Sequence, residues 1–379
     1  MNSRSLLIQL PTSFGKSKLG IDLALRDNPS GILIVIPRLV LIDSWKKEFI
    51  KWGFSHWLDK IHFSTYVGLN KHVKEEWDCI IFDEVHHLSE RCRGFVSTMR
   101  IKQVICLSAT VTEVMKWEIK RLFPGTQDYK LEMKKAIDDK VLPDPKVFLI
   151  PLELDNTELR HIAVVRPKVK NIKTCLYRDR WKYILNKSVQ VHIHCTDFQW
   201  NLWMEDRIEY LKKSYMASRH EGAKTRWLSF AGQRLKCLSD LKTPFVLSLL
   251  NKLTAERTLT FCNSIEQTKV LGENCINSEN KESFSILSKF NSGEIDHITA
   301  CNMLNEGMNL VDCRIGIYAN LNSSDIIVKQ RLGRLLRHPD PVVIIPYFIN
   351  TREEELVRRM TFDYNPELIT KTSLDKIRI

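Results

Sequence analysis

Apolar positions along this chain follow two alternating rhythms. Short β-rich runs fall at residues 5–10, 31–36, 61–65, 79–82 and 103–108, with helically spaced stretches such as 40–52 between them. Strand and helix in alternation predict a parallel sheet covered by helices. The rhythm returns later in the chain, where runs at 258–262, 297–301, 313–319 and 342–348 read as strands of a second sheet. The middle differs. It carries helical patterns at 201–218 and 227–252, and Pro143 and Pro145 mark its entry.

The chain has 379 residues, enough for two or three domains with cores of their own. Hydrophobic residues at 44% and charged ones at 27% fit a globular chain. The sequence has no apolar run of the ~18 residues that a membrane-spanning helix needs. The opening "MNSRSLLIQL" lacks the apolar core of a signal peptide, so a cytoplasmic protein without a membrane partner is expected. Ten cysteines are scattered singly, which predicts reduced thiols and neither a zinc ribbon nor a disulfide framework. Charge adds a partner. The net charge is +12, and residues 155–252 hold 19 Lys and Arg against 9 Asp and Glu, while the rest of the chain is nearly balanced at 38 against 36. Charge localised in this way predicts a polyanion; a solvated helical surface is the competing explanation.

Three motifs carry chemistry. After the first β-run comes "PTSFGKS", followed by a helical pattern. Gly15 lets the backbone approach phosphate, Lys16 brings charge to the β- and γ-phosphates, Ser17 can hold Mg²⁺, and the helix N-terminus adds its dipole. Further on, the apolar run of "CIIFDEVHHLSE" ends in Asp83 and Glu84. Carboxylates at the C-terminal end of a parallel strand can hold Mg²⁺ and an attacking water. The adjacent His86 and His87 are expected to point apart, which argues against a metal pair. Near the end of the chain, "QRLGRLLR" at 330–337 places Arg334 and Arg337 at i and i+3 on one helix face. There they could meet a transferring γ-phosphate across a cleft, or be surface arginines of an ordinary amphipathic helix.

Taken in order, these segments resemble the superfamily 2 helicases and translocases, in the DExH group of phage and bacterial replication and repair enzymes. "PTSFGKS" resembles motif I, "ILIVIPRLVLIDSWKKEF" motif Ia, "FSTY" motif Ib, "FDEVHH" motif II, "LSAT" motif III, "TLTFCNSIEQTKVL" motif IV, "NEGMNL" motif V and "QRLGRLLR" motif VI. The resemblance implies an α/β fold with two RecA-like parallel-sheet domains, residues 1–145 and 253–379, and a basic helical insert with its connecting strand at 146–252. It implies ATP and Mg²⁺. Lys16, Asp83, Glu84, Gln330, Arg334 and Arg337 would be catalytic. Thr12, Ser13, Phe14, Gly15, Lys16, Ser17, Gly307 and Asn309 would bind nucleotide, Ser17 and Asp83 the metal, and Ser108 and Thr110 would couple the sites. The chain also departs from the pattern. Leu10 and Ser13 stand where glycines are common, Cys301 where threonine is common and Asn309 where aspartate is common. The few residues before the loop leave no room for an adenine-reading Q motif, so base selectivity stays open.

On the nucleic-acid side the resemblance implies Pro37, Arg38, Thr65, Tyr66 and Asn305 (within the segment 303–305), contacting mainly phosphates. The insert adds basic and aromatic groups in "CLYRDRWKYILNK" and "FQWNLWMEDRIEYLKKSYMASRH", with Lys212, Lys213 and Arg219 as the phosphate ligands to test. Its aromatics also fit a small helical core. The expected function is nucleic-acid-stimulated ATP hydrolysis by a monomer that translocates on or unwinds DNA, single-stranded or at a junction. An RNA helicase, a double-strand translocase that does not unwind, and a nucleic-acid scaffold with a decayed nucleotide site remain alternatives.

Overall fold

The computed structural model describes residues 4–12, 14–165, 191–254, 256–301, 310, 313–322 and 324–377. The first sheet is built from β1 (Arg4–Gln9), β2 (Ile32–Ile36), β3 (Ile61–Thr65), β4 (Glu76–Asp83), β5 (Arg100–Ser108) and β6 (Gln127–Lys130). All its pairings are parallel, in the order β3-β2-β4-β5-β1-β6. Its helices are α1 (Lys16–Leu25), α2 (Leu41–Lys51), α3 (Glu90–Val96) and α4 (Glu113–Leu122). The five residues of β2, "ILIVI", are all buried. A strand covered on both faces reads as such a continuous apolar run. Its alternate side chains enter two cores, Leu33 and Val35 on one face of the sheet, Ile32, Ile34 and Ile36 on the other.

The chain then passes through α5 (Met133–Asp138) into β7 (Lys146–Leu152), which belongs to the second sheet. An arm follows before that sheet resumes. It contains the antiparallel hairpin of β8 (His161–Val165) and β9 (Val191–Cys195), then α6 (Asp197–Ser218) and α7 (Glu221–Leu241). Thr196 and Gln199 close a capping box at the start of α6, and Asn201, Met204, Ile208 and Leu211 form its buried stripe. The helix expected over 227–252 is two helices. Pro244 lies in the first turn of α8 (Thr243–Lys252), and Lys242 ends one helix and caps the next. A proline ring fits a helix start but would clash inside a continuous helix.

The second sheet adds β10 (Thr258–Phe261), β11 (Cys275–Ile276), β12 (His297–Ala300), β13 (Ile315–Tyr318), β14 (Val342–Phe348) and β15 (Ile369–Lys371), in the parallel order β11-β12-β10-β13-β14-β7-β15. It is covered by α8, α9 (Ile265–Leu271), α10 (Ser283–Ser292), α11 (Asp325–Leu335) and α12 (Arg352–Met360). Val246 and Leu249 of α8 pack into one of its two cores. Lys242 and Glu353 form an ion pair at 0% and 1% exposure, tying the start of α8 to α12. The two domains touch, and Phe14 and Leu131 pack against cores of both. Among the described residues nine cysteines are free, eight of them buried, and no helix is long and apolar enough to cross a membrane.

Candidate nucleotide site and nucleic-acid rim

Parallel strands bring their C-terminal ends to one rim. In the first sheet β5 lies between β1 and β4, so Ser108 at its end separates the "PTSFGKS" loop from Asp83. Leu10 leaves β1 by donating its N–H to the Ser108 carbonyl at 3.1 Å. The side chain of Leu10 is buried in the core, which is what stands in place of the usual glycine. Gly15 then adopts φ 85°, a left-handed conformation that glycine takes without steric cost. It caps α1 without a side chain, and no acidic residue occupies the first turn. The positive end of the helix dipole therefore meets no negative charge of its own.

Lys16 opens α1 and reaches inward. Its Nζ lies 3.5 Å from the Leu10 carbonyl and 3.7 Å from Glu84 Oε1, with the two side chains only 10% and 14% exposed. Glu84 sits at φ 51°, a strained conformation for a residue with a β-carbon, which swings it off the end of β4. Its other oxygen, Oε2, is 3.3 Å from Ser108 Oγ and 3.4 Å from His86 Nδ1. Ser108 Oγ also accepts the Thr110 N–H at 3.3 Å and lies 3.1 Å from His86 Nδ1. Lys16, Glu84, Ser108, His86 and Thr110 thus form one connected cluster.

Asp83 lies beside it. Burial, and then the neighbouring Glu84, push its carboxyl up to about 6, against the pull of a hydrogen bond from Trp45 and the charge of Lys16. Two adjacent carboxylates, of which Lys16 pairs with only Glu84, form an environment that fits a divalent cation.

The histidine rings do not point apart as expected. Their centroids are 4.4 Å apart, although His86 reaches Ser108 and His87 lies 5.9 Å from the Tyr66 ring. Tyr66, expected on the nucleic-acid rim, is 5% exposed instead, and its hydroxyl donates to the Asp83 carbonyl at 2.8 Å. Pro37 and Arg38 follow β2 and Thr65 ends β3, at the same strand-end rim as the loop, with Arg38 exposed and Thr65 Oγ1 accepting the Gly68 N–H. Ser13, Asn305, Gly307 and Asn309 lie outside the described residues.

From the second domain, α11 comes against the loop at Gly333. A β-carbon at Gly333 would stand 2.1 Å from Thr12 Oγ1 and 2.3 Å from Thr12 Cβ. Only a residue without a β-carbon permits this approach. Gln330 and Arg334 on the same helix are buried. Arg331, not singled out in the sequence, braces the domain from within: it lies over the Phe261 ring and donates to the Asn320 carbonyl at 3.0 Å. Arg337 follows the helix by two residues, donates to the Leu310 carbonyl at 2.8 Å and is attracted by Glu48 of α2. The sequence also gave no role to Gly333 or Trp45. The signal for the first was an isolated glycine within a helical pattern, which asks for a packing reason.

In the arm, Lys212 and Lys213 are exposed, the latter 3.5 Å from Glu209. Arg219 lies over the Tyr215 ring, which itself stacks on Trp227. Eight of the arm's lysines and arginines fall in 166–190, outside the described residues along with Trp181.

The comparisons with known proteins agree with this arrangement. The family described as "Type III restriction enzyme, res subunit" matches residues 1–113, and "Helicase conserved C-terminal domain" matches residues 241–339. The chain is a superfamily 2 helicase. The helicase is 23% identical to the DNA 3'-5' translocase XPB2 of Sulfurisphaera tokodaii, over 94% of this chain and 79% of that one. Its fold resembles Saccharomyces cerevisiae Dbp5 bound to RNA and ADP BeF3, at TM-score 0.59 and 11% identity, over 98% of this chain and 86% of that one. It also resembles the Pyrococcus furiosus Hef helicase domain, at TM-score 0.51 and 14% identity, over 94% and 95% of the two chains. Both sheets are therefore RecA-like domains, and the helicase is an ATP-hydrolysing enzyme whose partner is nucleic acid.

The tight approach of Gly333 has a direct consequence. Gly333→Ala is expected to slow ATP hydrolysis about 10²-fold, the cost of misplacing catalytic groups by roughly 1 Å. Nucleotide affinity should change less. Steady-state hydrolysis beside equilibrium nucleotide binding checks this, and an unchanged rate would show that the contact plays no part in turnover.

Proposed function

We propose that this helicase hydrolyses Mg²⁺·ATP to move along or unwind DNA, single-stranded or at a junction, as a monomer in the cytoplasm. The observation that carries the reading is the gathering of Lys16, Asp83 and Glu84 on one strand-end rim, with α11 pressed against Thr12 from the other domain. In this reading the loop from Thr12 to Ser17 cradles phosphate, and Lys16 leaves Glu84 to hold the γ-phosphate. Ser17 and Asp83 hold Mg²⁺, which when bound offsets the charge of the phosphates. Glu84 orients the attacking water and takes its proton, and Ser108 and Thr110 carry changes at Glu84 outward. Gln330, Arg334 and Arg337 complete the site from the second domain, where a cation beside the γ-phosphate stabilises the charge of transfer. Gly307 and Asn309 belong to the same reading through the resemblance of "NEGMNL" to motif V.

The preference for DNA rests on the similarity to a DNA translocase along 94% of this chain; the neighbour solved with RNA shares only its fold. Pro37, Arg38, Thr65 and Asn305 would follow the phosphodiester backbone, and the arm would add Lys212, Lys213 and Arg219. Hydrolysis measured with single-stranded DNA and with RNA of equal length tests the choice. DNA should stimulate more, and stimulation by RNA alone would overturn it. Replacing Lys212, Lys213 and Arg219 together by alanine should weaken DNA binding and flatten its salt dependence by roughly 0.7 in slope for each lost phosphate contact. ATP affinity without DNA should stay unchanged. A salt slope equal to wild type would reduce these three residues to solvated surface.

A further inference from the structure

The roles above leave Trp45 without one. Its side chain is 2% exposed on α2, and its Nε1–H donates to Asp83 Oδ2 at 3.0 Å. The ring also lies beneath α1, where a β-carbon at Gly20 would stand 3.6 Å from it. A buried indole needs an acceptor, and any backbone carbonyl would serve. Here the acceptor is one oxygen of the carboxylate at the end of β4. A carboxylate is planar and turns about a single bond, so fixing Oδ2 also fixes the direction of Oδ1. The backbone of the same residue is held from the other side by the Tyr66 hydroxyl. Polar partners behind a metal-holding carboxylate set its aim, and losing one commonly weakens metal binding about 10- to 100-fold.

We propose that Trp45 is a positioning residue that aims Oδ1 of Asp83 at the Mg²⁺ of the bound nucleotide. This rests on the reading of Asp83 as a Mg²⁺ holder. The test is Trp45→Phe, which keeps an aromatic ring in place and removes the N–H. The Mg²⁺ concentration that half-saturates binding of a fluorescent ATP analogue is measured for wild type, Trp45→Phe and Asp83→Ala, together with analogue binding in EDTA and thermal melting. Trp45→Phe should raise that Mg²⁺ concentration about tenfold while metal-free binding stays as in wild type and the protein, though melting somewhat earlier for its smaller buried ring, remains folded at the assay temperature. An unmoved midpoint in Trp45→Phe beside a raised one in Asp83→Ala overturns the role of Trp45 and leaves that of Asp83 standing. An unmoved midpoint in Asp83→Ala removes the reading of Asp83, and the proposal with it. A second measurement needs no variant. The Trp45 indole N–H resonance should shift when Mg²⁺ is added to the nucleotide-bound wild type, and a resonance that stays in place overturns the proposal.

Discussion

Glu84→Gln should stop ATP hydrolysis while leaving nucleotide binding intact. The substitution keeps the shape of the side chain and its place at φ 51°, so Ser108 and Asp83 lose little of their surroundings, and Lys16 loses a paired charge that the γ-phosphate replaces when nucleotide binds. What disappears is the group that can take a proton from the attacking water. General-base catalysis contributes 10²- to 10⁴-fold, and a loss of about 10³-fold in turnover is expected. Lys16→Ala should differ, weakening nucleotide binding as well as abolishing turnover, because its charge serves the ground state too. Single-turnover hydrolysis and equilibrium binding of ATP separate the two. If Glu84→Gln turns over at the wild-type rate, another residue is the base.

The second large effect concerns stability. Lys242 donates to the Pro346 carbonyl at 3.3 Å and pairs with Glu353, whose Oε2 accepts the Phe348 N–H at 3.0 Å. Burial holds the Lys242 ammonium below its ordinary value, and Glu353 opposes that shift. Lys242→Ala leaves a buried carboxylate without its cation, at a cost of about 3–5 kcal/mol. The loss should appear in urea denaturation as an earlier transition of the second domain. Lys242→Met combined with Glu353→Gln, which removes both charges and keeps an acceptor for the Phe348 N–H, should recover most of it. A loss below about 1 kcal/mol in the single variant would place the pair among those that solvent can rescue.

Much of this was legible in the sequence, and the omissions have physical causes. Strands such as β2 and the centre of β4 announce themselves because both faces are covered and the run "ILIVI" in one, "CIIF" in the other, is continuously apolar. β6, "QDYK", sits at a sheet edge and is largely exposed, so it carries no such signal. β7, "KVFLIPL", follows Pro143 and Pro145 and contains Pro151, and reads only as a strand connecting to the insert, although it lies inside the second sheet between β14 and β15. The break between α7 and α8 was written in Pro244, but the apolar periodicity on either side concealed it. In the site, the loop and "FDEVHH" are legible because the chemistry needs particular residue types close together. The inward turn of Tyr66, the hold of Trp45 on Asp83 and the contact of Gly333 with Thr12 join segments distant in sequence, and no local pattern encodes them.

Both roots of the basic arm are fastened to the second domain. β7 enters that sheet before the arm departs. On the return, Ser239 hydrogen-bonds Gln267 and the Ala319 carbonyl, and Lys242 is locked to Glu353. An arm mounted in this way turns with the second domain as one piece. The 22 residues of α6 make it ~33 Å long. A domain rotation of about 10° would carry the far end of α6 roughly 6 Å further than its root. Shortening α6 and α7 by equal whole turns would shorten that extra travel in proportion, leaving the chemistry of the cleft untouched.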